Sequence, residues 1–293
     1  MEYKFNNNTC YYVISDLHGQ GKIYDYIVEH FDAEAKRTGK KIVLIINGDI
    51  IDRGNDSIRM LVDVMERVKY QKGNIDVVML PGNHEEMMCS ALEYYRINRV
   101  FDKGPGYTLN NMWFHPDNHG FDTCNEFFRL PPATQKDVLE FLKSLPLYFR
   151  IKTDKPNYNS YVVVHALPPS NAMTSKEIPT LGKIISDDKY KVLRDCLIYR
   201  KDNDKDDNIS LPDNGVITII GHTPVENPNG FTITENNKLL MIDGGCAYMA
   251  TNPDSKIFPE MATLVGLSDE PGKTRVFLYG DENTKNLRDG RKK

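Results

Sequence analysis

The stretch Gly48-Asp49-Ile50-Ile51-Asp52-Arg53-Gly54 comes almost directly after the apolar run Ile42-Val43-Leu44-Ile45-Ile46. A run this short and this rich in β-branched residues reads as a buried strand, and Gly48 lets the backbone turn sharply at its end. The loop it turns into carries two carboxylates and a guanidinium. Standing alone, such a loop would be a surface Asp52–Arg53 pair, with Asp49 capping the helix that begins near Asp56. The same arrangement recurs along the chain, and the recurrence changes the reading.

Tyr11-Tyr12-Val13-Ile14-Ser15 reads as a strand and runs into Asp16-Leu17-His18-Gly19. Ile23, Ile27 and Phe31 then recur at helical spacing up to Gly39, which completes a βαβ unit with the strand before Asp49. Asp56 or Ser57 can cap a second helix that carries Ile58, Leu61, Val62, Met65 and Val68 and stops at Gly73. The strand Ile75 to Leu80 follows and ends in Pro81-Gly82-Asn83-His84-Glu85.

Between residues 100 and 130 the periodicity is lost, and a long aperiodic insert in a compact domain reads as a functional loop, here a substrate-facing lid. Its aromatics Tyr107, Trp113 and Phe114 are candidates to stack on a base or simply to pack the lid. Thr134 can cap a helix bearing Val138, Leu139, Leu142 and Leu145. A hairpin follows, with Leu147 to Ile151 and Tyr161 to Val164 flanking a polar turn, and its second strand ends in His165. A helix is expected over Asp187 to Tyr199, then a charged loop over Lys201 to Asp213. The strand Val216 to Ile220 ends in Gly221-His222-Thr223-Pro224. Two hairpins close the chain, one turning at Asn236-Asn237 and leading into Asp243-Gly244-Gly245, the other turning at Pro271-Gly272.

With βαβ units first and hairpins last, the expected fold is α/β: two mixed β-sheets packed as a sandwich and flanked by helices. Residues 1–280 form one domain in this reading and 281–293 a polar, frayed tail. At 293 residues the chain is long enough for a substantial core, and its longest apolar runs are too short to span a bilayer. A net charge of −4 gives no reason to expect nucleic acid as a partner, and no basic-then-apolar leader opens the sequence, which points to the cytoplasm. The five cysteines are odd in number, scattered and never spaced as CxxC, so the expectation is reduced, mostly buried thiols. Nothing in the sequence speaks to oligomeric state.

Four of the seven histidines stand within four residues of a strand's C-terminal end, as do Asp16, Asp49 and Asn83. Binding groups of α/β sheets collect at that edge, so residues far apart in sequence converge there. Asp16, Asp49 and Asn83 with His18, His165 and His222 make a mixed oxygen and imidazole set suited to Mn, Fe or Zn, with no thiolate placed to favour a softer ion. Six ligands exceed what one open catalytic ion takes, so two divalent ions bridged by Asp49 are the economical arrangement. Ions about 3.5–4 Å apart can activate a shared water and clamp phosphate oxygens, which is the chemistry of in-line hydrolysis.

These loops, in this order, resemble the calcineurin-like metallophosphoesterases. The set GDIIDRG, GNHE and GHTP is similar to the serine/threonine phosphoprotein phosphatase branch, and the likeness runs from about Tyr11 to Tyr248. The resemblance implies a first metal held by Asp16, His18 and Asp49, and a second held by Asp49, Asn83, His165 and His222, with Mn the foremost ion. It implies His84 as general acid for the leaving oxygen, oriented by Asp52, with Arg53 binding phosphate. A carboxylate partner orients an imidazole and stabilises its protonated form, so that pairing is chemically sensible.

Two departures bear on substrate. Protein phosphatases of this branch carry Arg before Gly-Asn-His, where this chain has Pro81. The family's second clamp arginine aligns with Arg200, with Arg194 as rival. Asp243 resembles a carboxylate that braces the site, with Cys246 a packed side chain. The reading is therefore a dinuclear-metal phosphatase acting on phosphoserine or phosphothreonine in proteins. The alternative is a dinucleoside polyphosphate hydrolase, such as one for diadenosine tetraphosphate. A non-catalytic binding module would be expected to have lost a ligand or the acid, and none is missing.

Overall fold

The computed structural model describes residues 2–102, 109–167, 178–198, 215–227, 229–233, 238–249 and 261–279. Strands β1 (Glu2–Lys4), β2 (Thr9–Ile14), β3 (Lys41–Asn47) and β4 (Asp76–Leu80) alternate with helices α1 (Gly21–Thr38) and α2 (Ser57–Tyr70). Next come α3 (Asn83–Asn98), α4 (Leu109–Met112), α5 (Gly120–Arg129) and α6 (Pro132–Ser144). The hairpin β5 (Tyr148–Lys152) and β6 (Ser160–Val164) leads to α7 (Leu181–Ser186) and α8 (Asp195–Ile198). The remaining strands are β7 (Val216–Ile220), β8 (Thr232–Ile233), β9 (Leu239–Met241), β10 (Ala262–Leu267) and β11 (Arg275–Tyr279).

The strands form two mixed sheets, ordered β1-β5-β6-β7-β9-β8 and β11-β10-β2-β3-β4. In the second sheet β2, β3 and β4 run parallel, and in the first β6, β7 and β9 do. Strict alternation sets the layers. Tyr11, Val13, Val43, Ile45, Val78 and Leu80 pack between the sheets against Phe149, Ile151, Tyr161, Val163 and Ile219. The intervening Ile14, Ile42, Leu44, Ile46, Val77 and Met79 face α1 and α2, while Val162, Val164 and Met241 face α7 and α8. These strands are buried on both faces, which is why they read as unbroken apolar runs. No helix of the described residues is long and apolar enough to cross a membrane.

Several local expectations are corrected. Gly39 does cap α1 in the left-handed region, but α2 ends at Tyr70 with Gln71 as its left-handed cap, two residues before Gly73. Helix α6 starts at Pro132, a ring pre-set for a first helical position, so Thr134 lies inside it. The helix expected over Asp187 to Tyr199 is a 3-10 segment, Asp188–Arg194, followed by the single turn α8. From Leu109 to Arg129 the insert is helical rather than a loop. Gly120, Thr123, Cys124 and Phe127 are the buried residues of α5, an i, i+3, i+4, i+7 stripe that its small and polar members disguise. The Asn236-Asn237 turn, the Lys201 to Asp213 loop, Tyr107, Arg200 and the tail 281–293 lie outside the described residues.

Candidate active site

Strands β2, β3, β4, β6, β7 and β9 all deliver their C-terminal ends to one edge, and the loops leaving them are tied together by backbone. Asp16, His18 and Gly19 donate their N–H groups to the carbonyls of Gly48, Asp49 and Ile50, at 3.2, 2.9 and 2.8 Å. Asp16, His18, Asp49, Asp52, Arg53 and His222 all have positive φ, between 42° and 70°, a region costly for residues with a Cβ. Such strain persists only where surrounding contacts over-determine it, and it gathers at functional sites. Gly48 has φ of 78°, and a Cβ there would sit 2.6 Å from both the Gly82 nitrogen and His165 Nδ1. The β3 loop can therefore lie against its neighbours only with glycine at that point.

Asp49 is the hub. Its Oδ1 accepts the His84 backbone N–H at 3.0 Å. Its Oδ2 faces His165 Nε2, His18 Nε2 and His84 Nε2 at 3.4, 3.6 and 4.0 Å. The buried Glu85 carboxylate accepts N–H groups from Gly82, Asp49 and Ile50 at 2.7, 2.8 and 3.0 Å, pinning the β3 loop to the start of α3. Sequence reading passed over Glu85, although its place directly after the Asn83-His84 pair was the available signal. Glu85→Ala strands three buried donors and is expected to cost about 3–5 kcal/mol, read from denaturant unfolding. Glu85→Gln keeps an acceptor oxygen and should cost less.

The ring nitrogens fall into two classes when tautomers are assigned from their partners. His18 Nδ1, His165 Nδ1 and His222 Nε2 lie 2.9, 2.8 and 3.1 Å from the backbone carbonyls of Ile51, Asn47 and Ile198, so each donates there. Their other nitrogens point to the centre, where the Asn83 side-chain oxygen lies 2.8 Å from His222 Nδ1 and 3.2 Å from His165 Nε2. His84 differs. Its Nδ1 lies 2.7 Å from Asp52 Oδ2, inside a pair that is almost wholly buried.

This donor set fits cations. His18, Asp49 and His84 bring ligand atoms within 4.8 Å of one another, and so do Asp49, His165 and His222. Asp16 stands beside them with both oxygens accepting the His222 backbone N–H at 3.1 Å, outside either group. Burial, reinforced by Asp243 and Asp49, pushes the Asp16 carboxyl well above the usual range, and Asp243 is likewise pushed up to about 6 by burial. Burial alone would lower His165, but Asp49 and Asp16 carry it up to about 10, a proton held where a cation would sit. Three carboxylates crowded out of water with converging lone pairs are the surroundings a divalent ion relieves.

A cleft opens onto these groups, lined also by Arg53, Asn118, Pro224 and Tyr248. Arg53 Nη1 lies 2.9 Å from His18 Nε2. Arg194 is drawn elsewhere, with Nε 2.6 Å from buried Glu86 Oε1, so it does not line the cleft as a second clamp. Trp113 is fully buried and donates Nε1–H to Asp52, at 3.0 Å from Oδ2 and 3.2 Å from Oδ1. Phe114, half-buried, packs on Phe101 and Phe121. Of the two roles open to these aromatics, Trp113 takes the packing one.

Residues 11–247 match the family profile of calcineurin-like phosphoesterases. The chain belongs to that family. It is thus a phosphoric ester hydrolase, with His and Asp clusters compatible with a dinuclear metal site. A bis(5'-nucleosyl)-tetraphosphatase (asymmetrical), PrpE, of Oceanobacillus iheyensis is 25% identical over 286 residues, covering 88% of this chain and 92% of its own. Among solved structures, a cold-active protein-tyrosine phosphatase of a psychrophilic Shewanella species aligns with a TM-score of 0.53 at 16% identity, over 95% of this chain and 80% of that one. A putative diadenosine tetraphosphatase aligns with a TM-score of 0.50 at 14% identity, over 96% and 98%. At such identities the structural likeness concerns the fold, in a calcineurin-like phosphoesterase whose substrate has to be argued from its cleft.

Proposed function

We propose that this phosphoesterase cleaves a phosphoanhydride bond of a dinucleoside tetraphosphate asymmetrically, with His84 as general acid and Arg53 as the phosphate-binding cation. The proton-donor role is carried by one observation: His84 turns its outer nitrogen, Nδ1, to a carboxylate, Asp52 at 2.7 Å, while His18, His165 and His222 each turn one nitrogen to a backbone carbonyl. Asp16, His18 and Asp49 would hold one divalent ion and Asp49, Asn83, His165 and His222 the other, with Mn the first choice and Fe or Zn the alternatives. Such ions, when bound, activate water and neutralise developing phosphate charge.

His84 presents Nε2 to the cleft, where it would give a proton to the departing oxygen, since Nδ1 is committed to Asp52. Arg53 offers a fork of donors to the phosphate oxygens. It is the arginine lining the cleft among the described residues, and Pro81 stands where protein phosphatases carry another. A terminal phosphomonoester brings two negative charges, whereas an internal phosphate of a polyphosphate chain brings one. A single guanidinium meets the second case better. The relative from Oceanobacillus iheyensis, matched over nearly its whole length, supports the same choice.

A phosphoprotein substrate is the second reading, supported by the Asp52-Arg53 and His84 set and strengthened if Arg200 supplies the missing cation. The deciding experiment compares product release by the Mn-loaded protein from diadenosine tetraphosphate and from a phosphothreonine peptide. Release of ATP and AMP at a kcat/KM well above that for the peptide is expected. Preference for the peptide would replace this substrate with the phosphoprotein.

A further inference from the structure

We propose that Trp113 is a positioning residue for proton transfer: its indole N–H fixes the Asp52 carboxylate, which in turn fixes the His84 ring. The inference rests on the reading of His84 as general acid. It does not require Trp113 to touch substrate, and at 0% exposure Trp113 cannot do so.

The Asp52 carboxylate is buried, with 0% of the residue exposed, so its oxygens depend on protein donors. Among the described residues its side chain has two donors, His84 Nδ1 at 2.7 Å from Oδ2, and Trp113 Nε1 at 3.0 Å from Oδ2 and 3.2 Å from Oδ1. Since His84 meets only Oδ2, the indole is the group that reaches both oxygens and so sets the plane of the carboxylate. Without it, Oδ1 is a buried acceptor with nothing to accept, and the carboxylate can rotate about its last bond. A swing of the carboxylate swings the imidazole hydrogen-bonded to it. Because the indole is a neutral donor, it holds the carboxylate in place without pairing off its charge. An arginine or lysine at this place would do the first and undo the second.

The fold commits structure to this contact. Trp113 stands on the turn after α4, where Phe114 and His115 donate to the carbonyls of Asn111 and Met112 at 3.0 Å each. Helix α5 begins at Gly120 directly against it, and a Cβ on Gly120 would collide with the Trp113 carbonyl and indole ring. The neighbouring Phe114 anchors the same turn in a cluster with Phe101 and Phe121, with ring centroids 4.9 and 4.8 Å apart. The insert from Leu109 to Arg129 is therefore a bracket for the Asp52–His84 pair.

A double-mutant cycle tests this on the substrate turned over best in the preceding comparison. Trp113→Phe keeps an aromatic ring and removes the donor. It should lower kcat about 10- to 100-fold, as loss of an outer-shell partner does elsewhere, with KM changed less than about twofold and metal content unchanged. In a His84→Asn background the same substitution should have almost no further effect, because the group it acts through is gone. Phe114→Leu, which loosens the same cluster without touching Asp52, should lower the melting temperature without this coupling to His84.

The chain has a single tryptophan, so if Trp113→Phe fails to fold, growth of a tryptophan auxotroph on benzothienylalanine replaces the indole N–H by sulfur at this one site. An equal drop in both backgrounds, or no drop in the wild-type background, overturns the positioning role. Should His84→Asn itself leave kcat intact, the acid reading fails instead, and the two failures are distinguished within one experiment.

Discussion

Asp49→Asn is expected to remove metal binding and turnover together, lowering kcat/KM by roughly a thousandfold or more, since a clamp of metal ions supplies several kcal/mol to the transition state. The residue belongs to both donor groups, and its Oδ2 is the atom toward which His165, His18 and His84 converge at 3.4 to 4.0 Å. Burial pushes its carboxyl upward, yet His165, His84 and His18 overcome that and hold it well below the usual range, so Asp49 is the anionic centre of the site. Asparagine preserves shape and an acceptor for the His84 backbone N–H, so the fold should survive while the charge is lost. Wild-type protein should melt higher on adding Mn, by the equivalent of about 2.7 kcal/mol at a hundredfold excess over the dissociation constant. Asp49→Asn should show no such rise, and elemental analysis should find its ions absent. A variant that retains two ions and full turnover would remove Asp49 from the bridging position.

The strands and their site loops were legible because two signals coincide. Strands buried on both faces leave no room for polar residues, so Ile42 to Ile46 and Val216 to Ile220 announce themselves, and a polar residue immediately after such a run has to lie at the sheet edge. That places Asp16, Asp49, Asn83, His165 and His222 without knowledge of the turns between them. Side-chain hydrogen bonds carry no comparable period. The contact between Trp113 and Asp52 joins residues 61 positions apart through an insert whose buried stripe includes a glycine and a threonine, so an apolar count misses the helix and then the contact. Glu85 was hidden for the opposite reason: a carboxylate next to a histidine invites a catalytic or surface role, while this one spends its oxygens on backbone N–H groups. Substrate preference was the least legible feature. The same loops serve protein and nucleotide phosphates, so the order of the two substrates turned on Pro81 and on a relative matched over its length rather than on the metal set.

His84→Asn is expected to lower kcat by about 10²- to 10⁴-fold, the range for losing a positioned general acid, while KM changes little and both ions remain. The expectation follows from how the four imidazoles are held. A nitrogen tied to a backbone carbonyl turns the ring's other nitrogen to the centre, which is the orientation a metal ligand requires, and His18, His165 and His222 are held in this way. His84 is held at Nδ1 by a carboxylate instead, which fixes the ring with Nε2 as the nitrogen facing the reacting oxygen. Geometry alone leaves room for a second role, because His84 Nε2 also lies within the ligand group of His18 and Asp49, while Asp16 faces the His222 backbone. Metal content separates the two. A fall in kcat with both ions retained assigns His84 to proton transfer and Asp16 to the metal, whereas loss of one ion with the activity would put His84 in the first metal's shell in place of Asp16.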